Sequence, residues 1–134
     1  MQLTPADALV HVMVITAVSD KDVNDHELDR FAALIGRWPV FETFDLARLP
    51  EVATSCVDTV NKAGLDALLG QIAETLEPRL QETAYALAVE IATVDLTLNQ
   101  EELRMLEMIR DAFAIDRLTT AAIEASARIR HRKL

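Results

Sequence analysis

The stretch 84-AYALAVEIATVDLTLNQEELRMLEMIRDAF-113 has a related copy earlier in the chain, 9-LVHVMVITAVSDKDVNDHELDRFAALI-35, at a constant offset of 75 positions. Each copy contains an apolar helical run, a short acidic loop, and then a helix whose apolar residues recur on one face. Identical polar residues pair at this offset: Asp20 with Asp95, Asn24 with Asn99, and Glu27 with Glu102. The sequence therefore predicts a fold built on two helix–acidic loop–helix units.

Glycine and proline are scarce, with three glycines and four prolines among 134 residues. No segment shows the sustained alternation of apolar and polar residues that is typical of a half-buried strand. Hydrophobic residues make up 51% of the chain, which is enough to form a buried core at this length. These features predict an all-α helical bundle of about seven helices, in one domain spanning residues 1–134.

The first helix of each unit is apolar nearly all round, so the helices at Leu9–Val18 and Ala84–Val94 are predicted to be central. Glu90 interrupts the second of them and needs a partner, for which His11 or an arginine is the candidate. The two units are expected to superpose about an approximate two-fold axis.

The second helix of each unit begins with an asparagine that is followed three residues later by a glutamate, which is the signature of a capping box. Asn24 and Asn99 are therefore predicted to be N-caps, and Gly36 is predicted to end the helix that Asn24 opens. Trp38, Phe41 and Phe44 in the following connection are predicted to form a satellite of core aromatics.

The last two helices carry apolar residues that are predicted to dock onto the core. In the helix that Asn99 opens, the predicted buried stripe is Leu103, Leu106, Ile109, Ala112 and Phe113. In the last helix, from about residue 117 to residue 131, the predicted docking residues are Leu118, Ala122, Ile123, Ala125 and Ile129.

The net charge of −9 disfavours nucleic acid and anionic membranes as partners, and it favours a cation or a basic protein surface. Four of the thirteen cations lie between residues 128 and 133, where they suit a helix C-terminus. Cys56 is the only cysteine, so there is no internal disulfide. The apolar run Ala8–Val18 is too short to span a bilayer, and no signal-peptide pattern precedes it, which predicts a cytoplasmic protein without membrane insertion.

Each acidic loop places an aspartate seven residues before a glutamate in the first turn of the next helix: Asp20 before Glu27, and Asp95 before Glu102. A loop that folds back between them brings the two carboxylates close together. Paired carboxylates with loop carbonyls suit a hard cation such as calcium, magnesium or manganese.

The alternative interpretation of the loops is helix capping. Acidic residues at helix starts satisfy unpaired backbone amides and interact favourably with the helix dipole, without any metal. Capping does not require Asp20 or Asp95, however, and their recurrence favours a site.

At these residues the chain resembles the TerB-like family, which is named for tellurite-resistance proteins. The family pattern is an apolar helix ending in Ala-x-x-Asp-Gly, an acidic loop, and a glutamate opening the next helix, given twice. Here the copies run from Ala17 to Glu27 and from Ala92 to Glu102, with lysine and leucine in place of the glycines. The resemblance implies a helical bundle, an acidic surface that binds divalent metal, and a role in chemical-stress response near the membrane. It puts forward four metal ligands: Asp20, Glu27, Asp95 and Glu102.

The sequence and the resemblance together favour a non-enzymatic cytoplasmic module that binds a divalent cation or a basic, membrane-associated protein partner through its acidic loops. One alternative is a metal-assisted hydrolase that uses the paired carboxylates. It ranks lower because no nucleophile, general base or phosphate-binding loop stands out. The other alternative is a purely structural or oligomerisation module. These patterns specify neither the metal nor the oligomeric state.

Overall fold

The computed structural model describes residues 3–17, 23–93 and 100–134. Within these residues the chain forms seven α-helices and two short 3-10 helices, and no strand, which confirms the all-α prediction. The α-helices are α1 (Pro5–Ala17), α2 (Asp25–Arg37), α3 (Leu49–Ala63), α4 (Leu65–Thr75), α5 (Pro78–Thr93), α6 (Gln100–Ala112) and α7 (Arg117–Arg130). The 3-10 helices, Pro39–Phe41 and Leu46–Arg48, lie between α2 and α3.

Helix α1 lies at the centre of the bundle, in contact with α3, α4, α5 and α6. Every residue of it from Ala8 to Thr16 is buried, including His11. The helix begins at a proline that suits the first helical position. Thr4 precedes this proline, and its Oγ1 accepts a hydrogen bond of 3.2 Å from the backbone N–H of Asp7.

Helix α5 packs against α1 on one side and α7 on another. Ala84, Ala88 and Ala92 recur every four residues along it, and all three are buried. Small side chains in such a row allow neighbouring helices to approach closely. The prediction that the first helix of each unit is central is confirmed for the described parts of both, whereas the two-fold relation between the units stays a prediction.

The connection between α2 and α3 carries the predicted aromatic satellite. Phe41 is buried, and its ring meets that of Phe44 edge-on, with centroids 6.0 Å apart. Trp38 and Phe44 are half-buried against the same core. Edge-to-face contacts of this kind add to the stabilisation that burial of the rings provides.

The predictions at five positions are wrong: Gly36, Leu103, Leu118, Ala122 and Ile129. Helix α2 continues through Gly36 to Arg37, because the chain turns into an extended conformation only at Trp38. Leu103 on α6 is 41% exposed, and on α7 Leu118 is 82% and Ile129 is 63% exposed. Helix α7 is buried through Thr120 and Ala127 on the side that faces α5. Of the predicted docking residues, Ile123 packs partly buried against the core, as predicted.

Candidate functional site

Glu27 lies in the first turn of α2, where it completes a capping box. Its Oε1 accepts a hydrogen bond of 3.1 Å from the backbone N–H of Asn24, and Asn24 Oδ1 accepts one of 2.8 Å from the backbone N–H of Glu27. The predicted N-cap is therefore confirmed at Asn24. Capping engages Oε1 of Glu27 and not Oε2 of the same carboxylate.

The other three predicted ligands divide into two groups. Asp20 and Asp95 lie outside the described residues, as does the predicted N-cap Asn99. Glu102 is half-buried in the first turn of α6, the position that the sequence predicts for it. Convergence of each aspartate with its glutamate stays a prediction.

The Asn24 cap offers a direct measure of local stabilisation. Replacing Asn24 by Ala is expected to lower the free energy of unfolding by about 0.5–2 kcal/mol, because the backbone N–H of Glu27 loses its acceptor. Denaturant titration followed by circular dichroism measures this change. Asn61→Ala, an exposed asparagine inside α3, is the control and should not destabilise the protein. Equal midpoints for Asn24→Ala and the parent would contradict the prediction.

Arg30 connects α2 to the end of α5, and sequence reasoning missed this contact. Its Nη2 donates a hydrogen bond of 3.4 Å to the carbonyl oxygen of Ile91, in the last turn of α5. The last carbonyls of a helix lack intrahelical partners, and an arginine there also suits the dipole. Since Arg30 lies one turn after Glu27, the start of α2 runs beside the helix from which the second acidic loop departs.

Metal-ligand geometry is not found elsewhere in the described ranges. Within 3–17, 23–93 and 100–134, no three His, Cys, Asp or Glu side chains gather closely enough to hold a metal ion. Asp20 and Asp95 lie outside these ranges, so the cation site that the sequence predicts at the acidic loops stays a prediction.

Glu90, the acid inside the apolar run of α5, is paired with the end of α7. Arg130 donates a short hydrogen bond to Glu90 Oε1, and His131 Nε2 lies 2.6 Å from Oε2. Burial alone would raise the pKa of Glu90, but hydrogen bonds from Arg130 and His131 outweigh it and hold the pKa below its usual value. The prediction that an arginine serves Glu90 is confirmed, whereas the histidine involved is His131 and not His11.

A second polar network joins α5, α6 and α7. Tyr85 donates a hydrogen bond of 2.5 Å to Glu124 Oε2, and Arg110 Nη1 donates one of 3.1 Å to the same oxygen. Burial and the neighbouring carboxylate raise the pKa of Tyr85, so the phenol keeps its proton and acts as the donor. This network ties three helices together and presents no activated nucleophile.

Cys56 is a core residue of α3. It is fully buried, and its Sγ lies 3.8 Å from the carbonyl oxygen of His11. Burial raises the pKa of its thiol to about 12, which leaves it protonated at neutral pH. A protonated, inaccessible thiol is inert as a nucleophile or metal ligand.

His11 is buried in α1, where its Nδ1 lies 2.7 Å from the carbonyl oxygen of Asp7. Burial lowers the pKa of His11, although the hydrogen bond and the charge of Asp7 oppose the shift. The imidazole is therefore neutral at pH 7, with Nδ1–H as the donor to the carbonyl. It serves the structure of α1 rather than pairing with Glu90.

Acid is expected to destabilise the protein through His11. As the pH falls below the unfolded-state value of 6.5, the unfolded chain takes up a proton that the folded chain excludes, so the free energy of unfolding falls. His11→Asn keeps an N–H near the Nδ1 position but does not titrate. Its free energy of unfolding should therefore change less than that of the parent between about pH 6.5 and pH 5, measured by denaturant titration. Parallel profiles for the two proteins would contradict this prediction.

The family model described as tellurite resistance protein TerB matches residues 6–125 of the chain. The match runs from the second residue of α1 through α6 and into the first part of α7. The chain therefore belongs to the TerB family. Comparison with curated proteins found no match, and comparison with solved structures found none either.

Length and hydrophobicity decide whether a helix can cross a membrane. Within the part of the chain that the structure describes, none of the helices combines the length and hydrophobicity needed to do so.

Proposed function

We propose that this TerB-family chain is a non-enzymatic cytoplasmic module of the chemical-stress response whose acidic loops bind a divalent cation such as calcium, magnesium or manganese. The ligands are Asp20 with Glu27 in the first loop, and Asp95 with Glu102 in the second. A partner protein with a basic surface would bind the same loops, because their carboxylates are negatively charged.

The observation that carries the proposal is the repeated motif in a chain that the TerB model matches over most of its length. Both glutamates stand in the first turn of a helix, and each follows its acidic loop directly in the sequence. The hydrogen bond from Arg30 to the Ile91 carbonyl supports a common location, because it sets α2 beside the end of α5. Oxygen ligands of this kind suit hard cations.

Thermal melting of chelator-stripped protein tests the cation site. Millimolar calcium or manganese should raise the melting temperature of the parent by several degrees, because a ligand at about 100 times its Kd stabilises the folded state by about 2.7 kcal/mol. The rise should disappear in Asp20→Asn/Asp95→Asn. This double variant keeps the size of each side chain and removes its charge.

Asp58→Asn/Glu74→Gln is the matched control, since it removes two exposed acids of α3 and α4 outside the loops. It should retain the full rise, because its loops are intact. An equal rise in the parent and in the loop variant would mean that the cation binds elsewhere. If no cation changes the melting temperature, the loops bind no cation and their acidic residues serve only in helix capping.

A further inference from the structure

The side of α7 opposite the core carries an apolar stripe that the described residues leave uncovered. We call it the outer stripe; it consists of Leu118, Ala121, Ala122, Ala125 and Ile129. Helical spacing of three and four residues places these side chains on one face. The two large ones are 82% and 63% exposed, whereas Thr120 and Ala127 on the opposite face are buried. Helix α7 therefore has two apolar faces, and the core uses one.

A row of cations runs along one edge of the outer stripe. Arg117 and Arg128 fall on this edge by helical spacing, since a step of eleven residues returns to nearly the same angle, and Arg132 follows just after the end of α7 at Arg130. None of the three forms an ion pair with any residue in the described parts of the chain. Glu124 falls on the same edge but is paired with Arg110, so Arg117 and Arg128 leave this edge with a positive charge in a chain whose net charge is −9.

The outer stripe continues into a groove between α7 and the end of α2. The groove has a volume of about 530 Å³, and Ala122 belongs to both features. Leu34, Trp38 and Ile123 line it with apolar surface, and Arg37 adds another cation. Glu90 and Arg130 also line the groove, and they are paired with each other. A groove of this size accommodates one or two bulky apolar side chains. The outer stripe and the groove therefore form a continuous apolar surface flanked by arginines.

We propose that this surface binds an acidic amphipathic helix of a partner protein. The partner helix would lie along the outer stripe, where three alanines allow the two backbones to approach closely. One bulky apolar side chain would enter the groove, and acidic side chains would face Arg117, Arg128 and Arg132. This is the helix-in-groove mode of recognition, in which apolar anchors supply affinity and flanking charges supply orientation.

Charge argues against a second copy of the chain as the occupant. In an antiparallel two-fold pair of α7 helices, each edge meets the same edge of its partner, so the arginine row would face itself. In a parallel pair the row would face Thr119, Ser126 and Arg130, an edge that carries no carboxylate. The carboxylate on the arginine edge, Glu124, is already paired with Arg110, so neither arrangement offers the row an acid without a partner.

Composition argues against a membrane surface. Helices that lie in the membrane interface insert large apolar side chains, often Trp, Phe and Leu. The outer stripe has only Leu118 and Ile129 as large side chains, and its centre is alanine. Alanines at the centre allow another helix to approach closely, whereas they contribute little to insertion into lipid.

Titration with a designed peptide tests the proposal. The probe is a peptide of about 20 residues with leucines on one helical face and glutamates beside them, lacking aromatic residues. Trp38 is the only tryptophan of the chain and lines the groove, so its fluorescence reports occupation. The parent should bind this peptide, bind a scrambled peptide of the same composition at least about tenfold more weakly, and lose affinity as salt increases.

Two variants and their controls localise the binding. Leu118→Gln/Ile129→Gln and Arg128→Gln/Arg132→Gln should each weaken peptide affinity at least about tenfold. Leu46→Gln changes an exposed leucine outside α7, and Lys62→Gln/Arg79→Gln removes two exposed cations outside it, so both should bind like the parent. Circular dichroism of every variant confirms that the fold is retained.

Other outcomes would overturn the proposal. They are failure of the parent to bind the peptide, equal binding by the outer-stripe variant, and binding to phosphatidylserine vesicles in preference to the peptide. Sedimentation that shows a dimer of the parent and a monomer of Leu118→Gln/Ile129→Gln would assign the surface to self-association instead.

Discussion

Replacing Gln81 by Met is expected to lower the free energy of unfolding by about 3 kcal/mol, although the two side chains have similar volumes. Gln81 is buried near the start of α5, and its Nε2 donates hydrogen bonds to the carbonyl oxygens of Ala73, at 3.0 Å, and Leu76, at 3.1 Å. Its Oε1 accepts a hydrogen bond of 2.9 Å from the backbone N–H of Ala114. The Gln81 side chain thus provides hydrogen-bond partners for backbone groups at the end of α4 and in the link between α6 and α7.

The expected size follows from the groups that the substitution leaves without partners. A buried polar group without a hydrogen bond costs about 1–3 kcal/mol, and methionine leaves three backbone groups in that state. Because water can reach some of these backbone groups, we expect their combined cost to be about 3 kcal/mol. Chemical denaturation measures the loss, and Gln71→Met on the exposed side of α4 should change stability by less than about 0.5 kcal/mol. A loss below about 1 kcal/mol for Gln81→Met would show that water replaces the amide.

Removing both partners of Glu90 is expected to be comparably costly. Arg130→Ala/His131→Ala leaves a carboxylate that is only 11% exposed without its cations, and the free energy of unfolding at pH 7 should fall by about 2–3 kcal/mol. The estimate lies below the usual cost of breaking a buried ion pair because the Arg130 side chain is 51% exposed. Denaturant titration measures the loss. Arg128→Ala/Arg132→Ala removes two cations from the same end of the chain and should change stability little.

The pH dependence of the free energy of unfolding distinguishes loss of the partners of Glu90 from the mere shortening of two side chains at the end of α7. In the parent the pKa of Glu90 is lowered, so its contribution is present above the unfolded-state value of 4.5 and disappears as the pH falls. In the variant, burial without partners raises that pKa, so the difference in stability between parent and variant should shrink on acidification from pH 7 towards about pH 4. Adding Glu90→Leu to the variant should restore most of the lost stability at pH 7. A difference that is independent of pH would falsify the assignment of the loss to Glu90.

The elements that the sequence predicts well are those fixed by local chemistry. The Asn24 cap depends on residues within one turn, and the central positions of α1 and α5 follow from helices that are apolar nearly all round. In each case the residues that determine the structure are neighbours in the chain.

The errors come from contacts between distant residues. Helix α7 has apolar residues on two faces, and periodicity does not say which one docks, so Leu118 and Ile129 were predicted to be buried although both are exposed. Glu90 meets residues about 40 positions away, and Arg30 meets Ile91 from another helix. Of the predicted metal ligands, Glu27 and Glu102 occupy their expected helix starts, whereas Asp20 and Asp95 lie outside the described residues.

The enclosure of α1 has a consequence for synthesis on the ribosome. Helix α1 is translated before α5, the helix against which it packs most extensively, because α5 begins only at Pro78. Until α5 emerges, the nascent chain carries an apolar segment that it cannot cover, and such segments are prone to aggregation and are bound by chaperones. Contacts between segments this far apart in sequence also slow folding, because a long loop must close before they form. Helix α1 is thus synthesised well before α5 is available to pack against it. The nascent chain is therefore most prone to misassembly during the synthesis of α2, α3 and α4.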